Sequence, residues 1–156
     1  MLAKAALASG LKAQAYTPEV FGPGDGHSAY ARVSKAEIAK KGPVDSADFH
    51  LYFDDEMFKQ DLKAFPERAV VVLNTKEKFA SPLLKKKKIK LLTLDATGLA
   101  LQLIGRPWPA APMLGALLKG WNKVGIKALK NAVEAEAGDK VAEQSKATEE
   151  GMKIAR

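Results

Sequence analysis

The run AVVVLN, from Ala69 to Asn74, limits what this chain can fold into more than any other stretch. β-branched side chains crowd a helix and suit a pleated strand. Because the run is apolar throughout rather than alternating, it predicts a strand covered on both faces, as in parallel sheets flanked by helices. IKLLTL, Ile89 to Leu94, repeats the theme and runs into Asp95-Ala96-Thr97, which predicts a helix cap before Gly98 to Ile104. FHLYF, Phe49 to Phe53, reads as a third strand, and Asp54, Asp55 and Glu56 place acids at the positive end of the helix that follows. Strands separated by helices imply an α/β class with a parallel-rich sheet and crossover helices, a Rossmann-like or flavodoxin-like layer.

The rest of the chain fits around that layer. Residues 2–9 read as a helix stopped at Ser9-Gly10. Lys12 to Tyr16 reads as a short strand, Thr17 to His27 as a loop rich in proline and glycine, and Ser28 to Ser34 as an alternating strand. Alternation places Tyr30 and Arg32 on one face of that strand. Arg106-Pro107-Trp108-Pro109 is a rigid connector. Residues 111–156 form a mostly helical C-terminal part, with helices around Met113 to Trp121, around Ile126 to Ala135 and after Gly138. A length of 156 residues fits one domain. Gly22-Pro23-Gly24-Asp25-Gly26 precedes a strand, whereas a phosphate cradle feeds a helix N-terminus, so it is a weak dinucleotide signal.

Composition then removes whole classes of function. With no cysteine, the chain offers no thiolate for an iron–sulfur cluster, a disulfide or a nucleophile. Two histidines, His27 and His50, lack a neighbouring ligand pattern for zinc. Any redox centre is therefore expected on a partner chain. No apolar run approaches the roughly 20 residues of a membrane span, and the N-terminus does not read as a signal peptide. The net charge of +7 is most concentrated at Lys85–Lys88 and Lys90. A solvated loop leading into a strand is the leading reading of that cluster, ahead of a contact with an acidic partner subunit or acidic electron carrier. A basic nucleic-acid-binding α/β module comes last, because no aromatic is interleaved for base stacking. Trp108 and Trp121 read as core or interface anchors. Asp54, Asp55, Glu56 and Asp95 read as helix-capping groups before they read as paired carboxylates.

Five stretches, in order, carry a resemblance: LAKAALASG (2–10), YTPEVFGPGDGHSAYARVS (16–34), VVVLNT (70–75), LDATGLALQLIGRPWPAAPMLGAL (94–117) and AVEAEAGDKVAEQSKATEEG (132–151). Together they resemble the gamma subunits of 2-oxoacid:acceptor oxidoreductases over nearly the whole chain. The resemblance implies a single gamma-type domain, 1–156, in a cytoplasmic, multi-subunit enzyme. That enzyme oxidatively decarboxylates a 2-oxoacid to an acyl-CoA and passes electrons to ferredoxin or a similar acceptor. Thiamine pyrophosphate with Mg and the iron–sulfur clusters belong to other subunits. The gamma chain shapes the active-site and coenzyme A cleft, without a catalytic centre or cofactor of its own, and without nucleic acid or membrane as partners.

The resemblance also implies that the loop Val20 to His27 faces that cleft, with Gly22, Gly24, Gly26 and His27 in the loop and Arg32 on the following strand as cofactor-side contacts. Where the family often carries an Arg-Gly pair, this chain has Gly24-Asp25-Gly26-His27, so a guanidinium for an anionic group is missing there. A protonated His27 is one substitute, and an exposed loop histidine is the plainer reading. Near Ala110, Ala111 and Pro112 the family's common asparagine is also absent. The family's first strand and glycine-rich loop are expected ahead of Met1, beside Val70–Leu73. That predicts an open, buried edge next to this run, to be covered by a companion chain or by residues preceding Met1.

Overall fold

A computed structural model describes residues 1–17, 28–40, 42, 44 and 46–156. The element order is α1 (Leu2–Ala8), β1 (Lys12–Tyr16), β2 (Tyr30–Ser34), β3 (Phe49–Tyr52), α2 (Asp55–Asp61), β4 (Val70–Asn74), α3 (Pro82–Lys86), β5 (Lys90–Leu94), α4 (Ala96–Ile104), α5 (Ala110–Gly120), α6 (Ile126–Glu134) and α7 (Val141–Ile154). Strands β3, β4 and β5 form a parallel sheet in that spatial order, with Val71 opposite His50 on one side and Leu91 on the other.

The unbroken apolar run behaves as its composition demands. Val71, Val72 and Leu73 are almost fully buried, because alternate residues of β4 serve two different cores. Val72 joins Leu92, Leu94, Met113, Ala116 and Leu117 under α5. Val71 and Leu73 turn to the opposite face, toward Phe58, Leu62, Phe65 and Ile89. Burying each such side chain contributes about 1.5–3 kcal/mol, so this one strand anchors both layers.

Strands β1 and β2 stand apart as an antiparallel pair, with Gln14 opposite Arg32 and Tyr16 opposite Tyr30. Ala13 and Val33 turn inward onto a third core, built by Ala5 and Ala6 of α1 with Leu129 and Val133 of α6. Helices α5 and α7 cross at two glycines. A Cβ on Gly115 would overlap the Thr148 carbonyl oxygen, and one on Gly151 would overlap the Pro112 carbonyl oxygen. Only hydrogen at both positions lets the two backbones approach this closely. Thr148, fully buried between them, donates its hydroxyl to the Gln144 carbonyl at 2.9 Å.

Two expectations need correction. The edge predicted to lie open beside Val70–Leu73 is closed, since β4 is the central strand with a neighbour on each side. Among the described residues the two strands without an outer strand partner are β3 and β5, and on the β5 side Thr93 exchanges backbone hydrogen bonds with Arg156 at 2.8 and 3.1 Å. The lysine cluster is not simply a loop, because Lys85 and Lys86 end helix α3. Ser81 caps that helix by accepting from the Leu83 amide, and Pro82 occupies its first turn.

Candidate functional site

In an open α/β sheet, functional groups gather beyond the carboxyl ends of the strands. Here all three strand ends present a polar side chain, and each is used to fasten a helix. Asp54, following β3, accepts from the amides of Glu56 at 2.9 Å and Met57 at 3.0 Å and so caps α2. Asp95, following β5, caps α4 through the Gly98 amide at 2.8 Å. A Cβ on Gly98 would collide with that carboxylate, which explains the glycine. Lys76 stands 3.7 Å from the other Asp95 oxygen.

Asn74, the last residue of β4, binds these ends together. Its Nδ2 donates to the Phe53 carbonyl at 3.1 Å and to Thr97 Oγ1 at 2.9 Å. Its Oδ1 accepts from the amides of Ala96 at 2.9 Å and Thr97 at 3.2 Å. One side chain thereby ties β3, β4 and the start of α4. As a motif, "strand ending in asparagine" was legible in the sequence, but this role was not.

Beside this clamp opens a cleft of about 490 Å³, lined mainly by Phe53, Pro107, Trp108, Pro109 and Ala111, with Gln144, Glu136 and Met1 on its polar side. Phe53 is 49% exposed and Trp108 37%, large values for aromatic rings. The Arg106 guanidinium lies 4.5 Å from the Trp108 ring centre, and its Nη1 pairs with Asp139 at 3.0 Å. The Arg-Pro-Trp-Pro connector thus forms one wall of the cleft. Trp108 is an exposed surface anchor, whereas Trp121 packs on Phe49 with ring centres 5.7 Å apart.

Of the residues expected at a cofactor, Gly22, Gly24, Gly26 and His27 lie outside the described residues. Arg32 is half-buried on β2, where Nη1 donates to the Gly42 carbonyl at 2.6 Å and to Gln14 Oε1 at 3.4 Å. Tyr30 shares its face and stacks on Tyr16, with ring centres 6.4 Å apart.

The carboxylates at the start of α2 are structural. Asp55 accepts from Lys59 at 2.8 Å, and that hydrogen bond holds its carboxyl below the usual range. On β3, the His50 ring packs against Phe65. Its Nε2 lies 2.8 Å from the Ala47 carbonyl, which can only accept, so Nε2 carries the proton. Burial pushes its pKa down, against smaller upward pulls from the Ala47 bond and from Asp61 and Asp48. Burial also raises the Tyr52 phenol, helped by its 2.7 Å bond to Asp61. Among the described residues no cluster of three His, Asp or Glu side chains could hold a metal ion.

Residues 1–154 match the pyruvate ferredoxin/flavodoxin oxidoreductase family. The chain belongs to this family. It is 32% identical to the pyruvate synthase subunit PorC of Methanothermobacter marburgensis, across 98% of this chain and 88% of that one. It is 30% identical to the pyruvate/ketoisovalerate oxidoreductases common subunit gamma of Thermococcus kodakarensis, across 80% and 70%.

The family fold is shared as well. The crystal structure of the pyruvate oxidoreductase subunit PORC of Thermotoga maritima covers 99% of this chain and 86% of its own, with a TM-score of 0.79 at 25% identity. The 2-oxoglutarate:ferredoxin oxidoreductase of Magnetococcus marinus, solved with 2-oxoglutarate, coenzyme A and succinyl-CoA bound, superposes with a TM-score of 0.74 at 19% identity. That likeness shows the fold alone; it spans 96% of this chain and 27% of the larger one. The member described here is of the gamma type, a subunit of a 2-oxoacid:acceptor oxidoreductase.

Proposed function

We propose that residues 1–156 act as one cytoplasmic gamma-type domain in a thiamine-dependent oxidoreductase, walling the cleft in which coenzyme A meets the acyl intermediate. The observation that carries this is the state of the carboxyl edge. Asp54, Asn74 and Asp95 are already spent on helix caps, and what remains beside them is an apolar cleft between Phe53 and Trp108. Such an edge suits a wall that positions a ligand and excludes water, while the reacting groups come from companion chains.

The residues fit coenzyme A in part. Phe53 and Trp108 suit an uncharged chain or ring, whereas phosphates need cationic donors and the Glu136 carboxylate in the cleft lining repels them. In this reading the amides around Gly22, Gly24 and Gly26, a protonated His27 and the Arg32 guanidinium supply the donors. Thiamine pyrophosphate with Mg and the iron–sulfur clusters reside on other subunits, consistent with a chain that has no cysteine. Electrons leave the enzyme for ferredoxin or a similar acceptor. No helix among the described residues is long and apolar enough to cross a membrane.

The test is purification of the native complex with this chain present or deleted, followed by assay of a panel of 2-oxoacids with coenzyme A. Oxidation of at least one 2-oxoacid that requires both this chain and coenzyme A is expected. Full acyl-CoA formation without the chain would sink the reading.

A further inference from the structure

The end of the parallel sheet opposite the carboxyl edge carries a charge pattern that the cleft does not use. The stretches 62–70, 83–90 and 118–121 meet there, around the first residues of β4 and β5. They contain eight cations and one acid, Glu67, an excess of seven that equals the net charge of the whole chain. Everywhere else, positive and negative charges balance.

Backbone contacts draw these cations together. The Arg68 amide donates to the Lys87 carbonyl at 2.8 Å. Lys87 Nζ reaches across to the carbonyls of Lys63 at 2.5 Å and Phe65 at 2.7 Å. Lys90 Nζ approaches the Lys119 carbonyl at 3.4 Å, which adds the end of α5 to the same surface. All of these cations except Lys87 are exposed. Among the described residues none has a carboxylate partner, whereas Lys12, Lys59, Lys130 and Lys153, on other faces, all do.

Local geometry fixes where two of these cations stand. Lys88, at φ 54°, closes helix α3, with the Ile89 amide donating back to the Leu84 carbonyl at 2.9 Å, and Arg68, at φ 63°, turns the chain into β4.

We propose that this face docks an acidic acceptor protein of the ferredoxin or flavodoxin class, met transiently by the assembled enzyme; the proposal rests on the oxidoreductase reading above. Its chemistry selects the partner. Lysines with no apolar centre steer a carboxylate-rich surface and speed encounter without holding it, as a carrier that must leave after each electron transfer requires. A permanent subunit interface would have a desolvated apolar core, which this end lacks. Nucleic acid fits less well, because the exposed rings Phe53 and Trp108 lie at the other end of the sheet and a single arginine provides little bidentate phosphate recognition.

The test uses the intact complex oxidising its 2-oxoacid, with either an acidic ferredoxin or a small uncharged dye as acceptor. The variant Lys63→Glu/Lys85→Glu/Lys86→Glu is compared with wild type across ionic strength. The milder Lys63→Gln/Lys85→Gln/Lys86→Gln is used if the reversal disturbs assembly. We expect KM for ferredoxin to rise about tenfold or more at low salt, with convergence of the two enzymes at high salt and unchanged dye reduction. Unchanged ferredoxin kinetics with dye activity intact would overturn the docking face alone. A wild-type complex that oxidises no 2-oxoacid with the dye would overturn the functional reading and this proposal together. Loss of binding to a short DNA duplex, with ferredoxin kinetics untouched, would overturn it in favour of nucleic acid.

Discussion

Asn74 shows how much one side chain can hold. Replacing it with alanine removes two donated and two accepted hydrogen bonds at once, and leaves the Ala96 and Thr97 amides of α4 without their acceptor. Leaving such groups unmet costs about 1–3 kcal/mol each when buried; Ala96 is fully buried and Thr97 half-buried, so we expect Asn74→Ala to cost ~3 kcal/mol. Thermal unfolding reads this out, and Asn74→Asp, which keeps the acceptors, should lose less. His50 makes a prediction of the opposite kind. Its folded pKa lies below the ordinary value, so below about pH 6.5 the unfolded chain binds more protons than the folded one. Stability must then fall as pH drops from that value through the folded pKa. A series of denaturant unfolding curves between pH 7 and pH 5 should show a steeper loss for wild type than for His50→Gln. The capping acids Asp54 and Asp95 were legible in the sequence, because a cap binds amides two or three residues away. Asn74 was not, because its partners are 21 to 23 residues distant and only folding brings them near.

At the scale of elements, sequence reading succeeds where the periodic signal is long. Strands β3, β4 and β5 and helices α4 to α7 follow from apolar spacing, acids at helix starts and glycine stops. It failed at α3, five residues long, because four consecutive lysines masked a Ser-Pro helix start. It also misplaced the open edge, since strand order is a product of packing and no local pattern encodes it. The crossing of α5 and α7 lies between these cases. The glycines stand out in the sequence, but their mutual contact becomes evident only in three dimensions. We expect Gly115→Ala to cost about 3 kcal/mol, because the new methyl meets a backbone carbonyl that cannot swing away. Gly98→Ala should cost less, about 1 kcal/mol, since it displaces only the Asp95 cap. Comparing the two midpoints in urea measures the difference directly.

The whole molecule assigns different work to the two ends of its sheet. An apolar cleft lies at the carboxyl end, and nearly all the excess positive charge lies at the other. Residues 1–156 expressed alone are expected to oxidise no 2-oxoacid and to hold no stoichiometric metal; about one tightly bound iron or zinc by elemental analysis would contradict this. Of the candidate site, the connector was legible in the sequence, whereas the cleft was not, because Phe53 and Trp108 meet only through the fold. The glycine crossing has a further consequence, in time rather than energy. Helices that touch backbone to backbone leave no room for partial opening, so their amides should exchange with deuterated solvent only when the molecule unfolds globally. Ala116 and Leu117 should therefore keep their protons after the short helix α3 and the β1–β2 pair have lost theirs, and α5 with α7 would be the last memory of the fold.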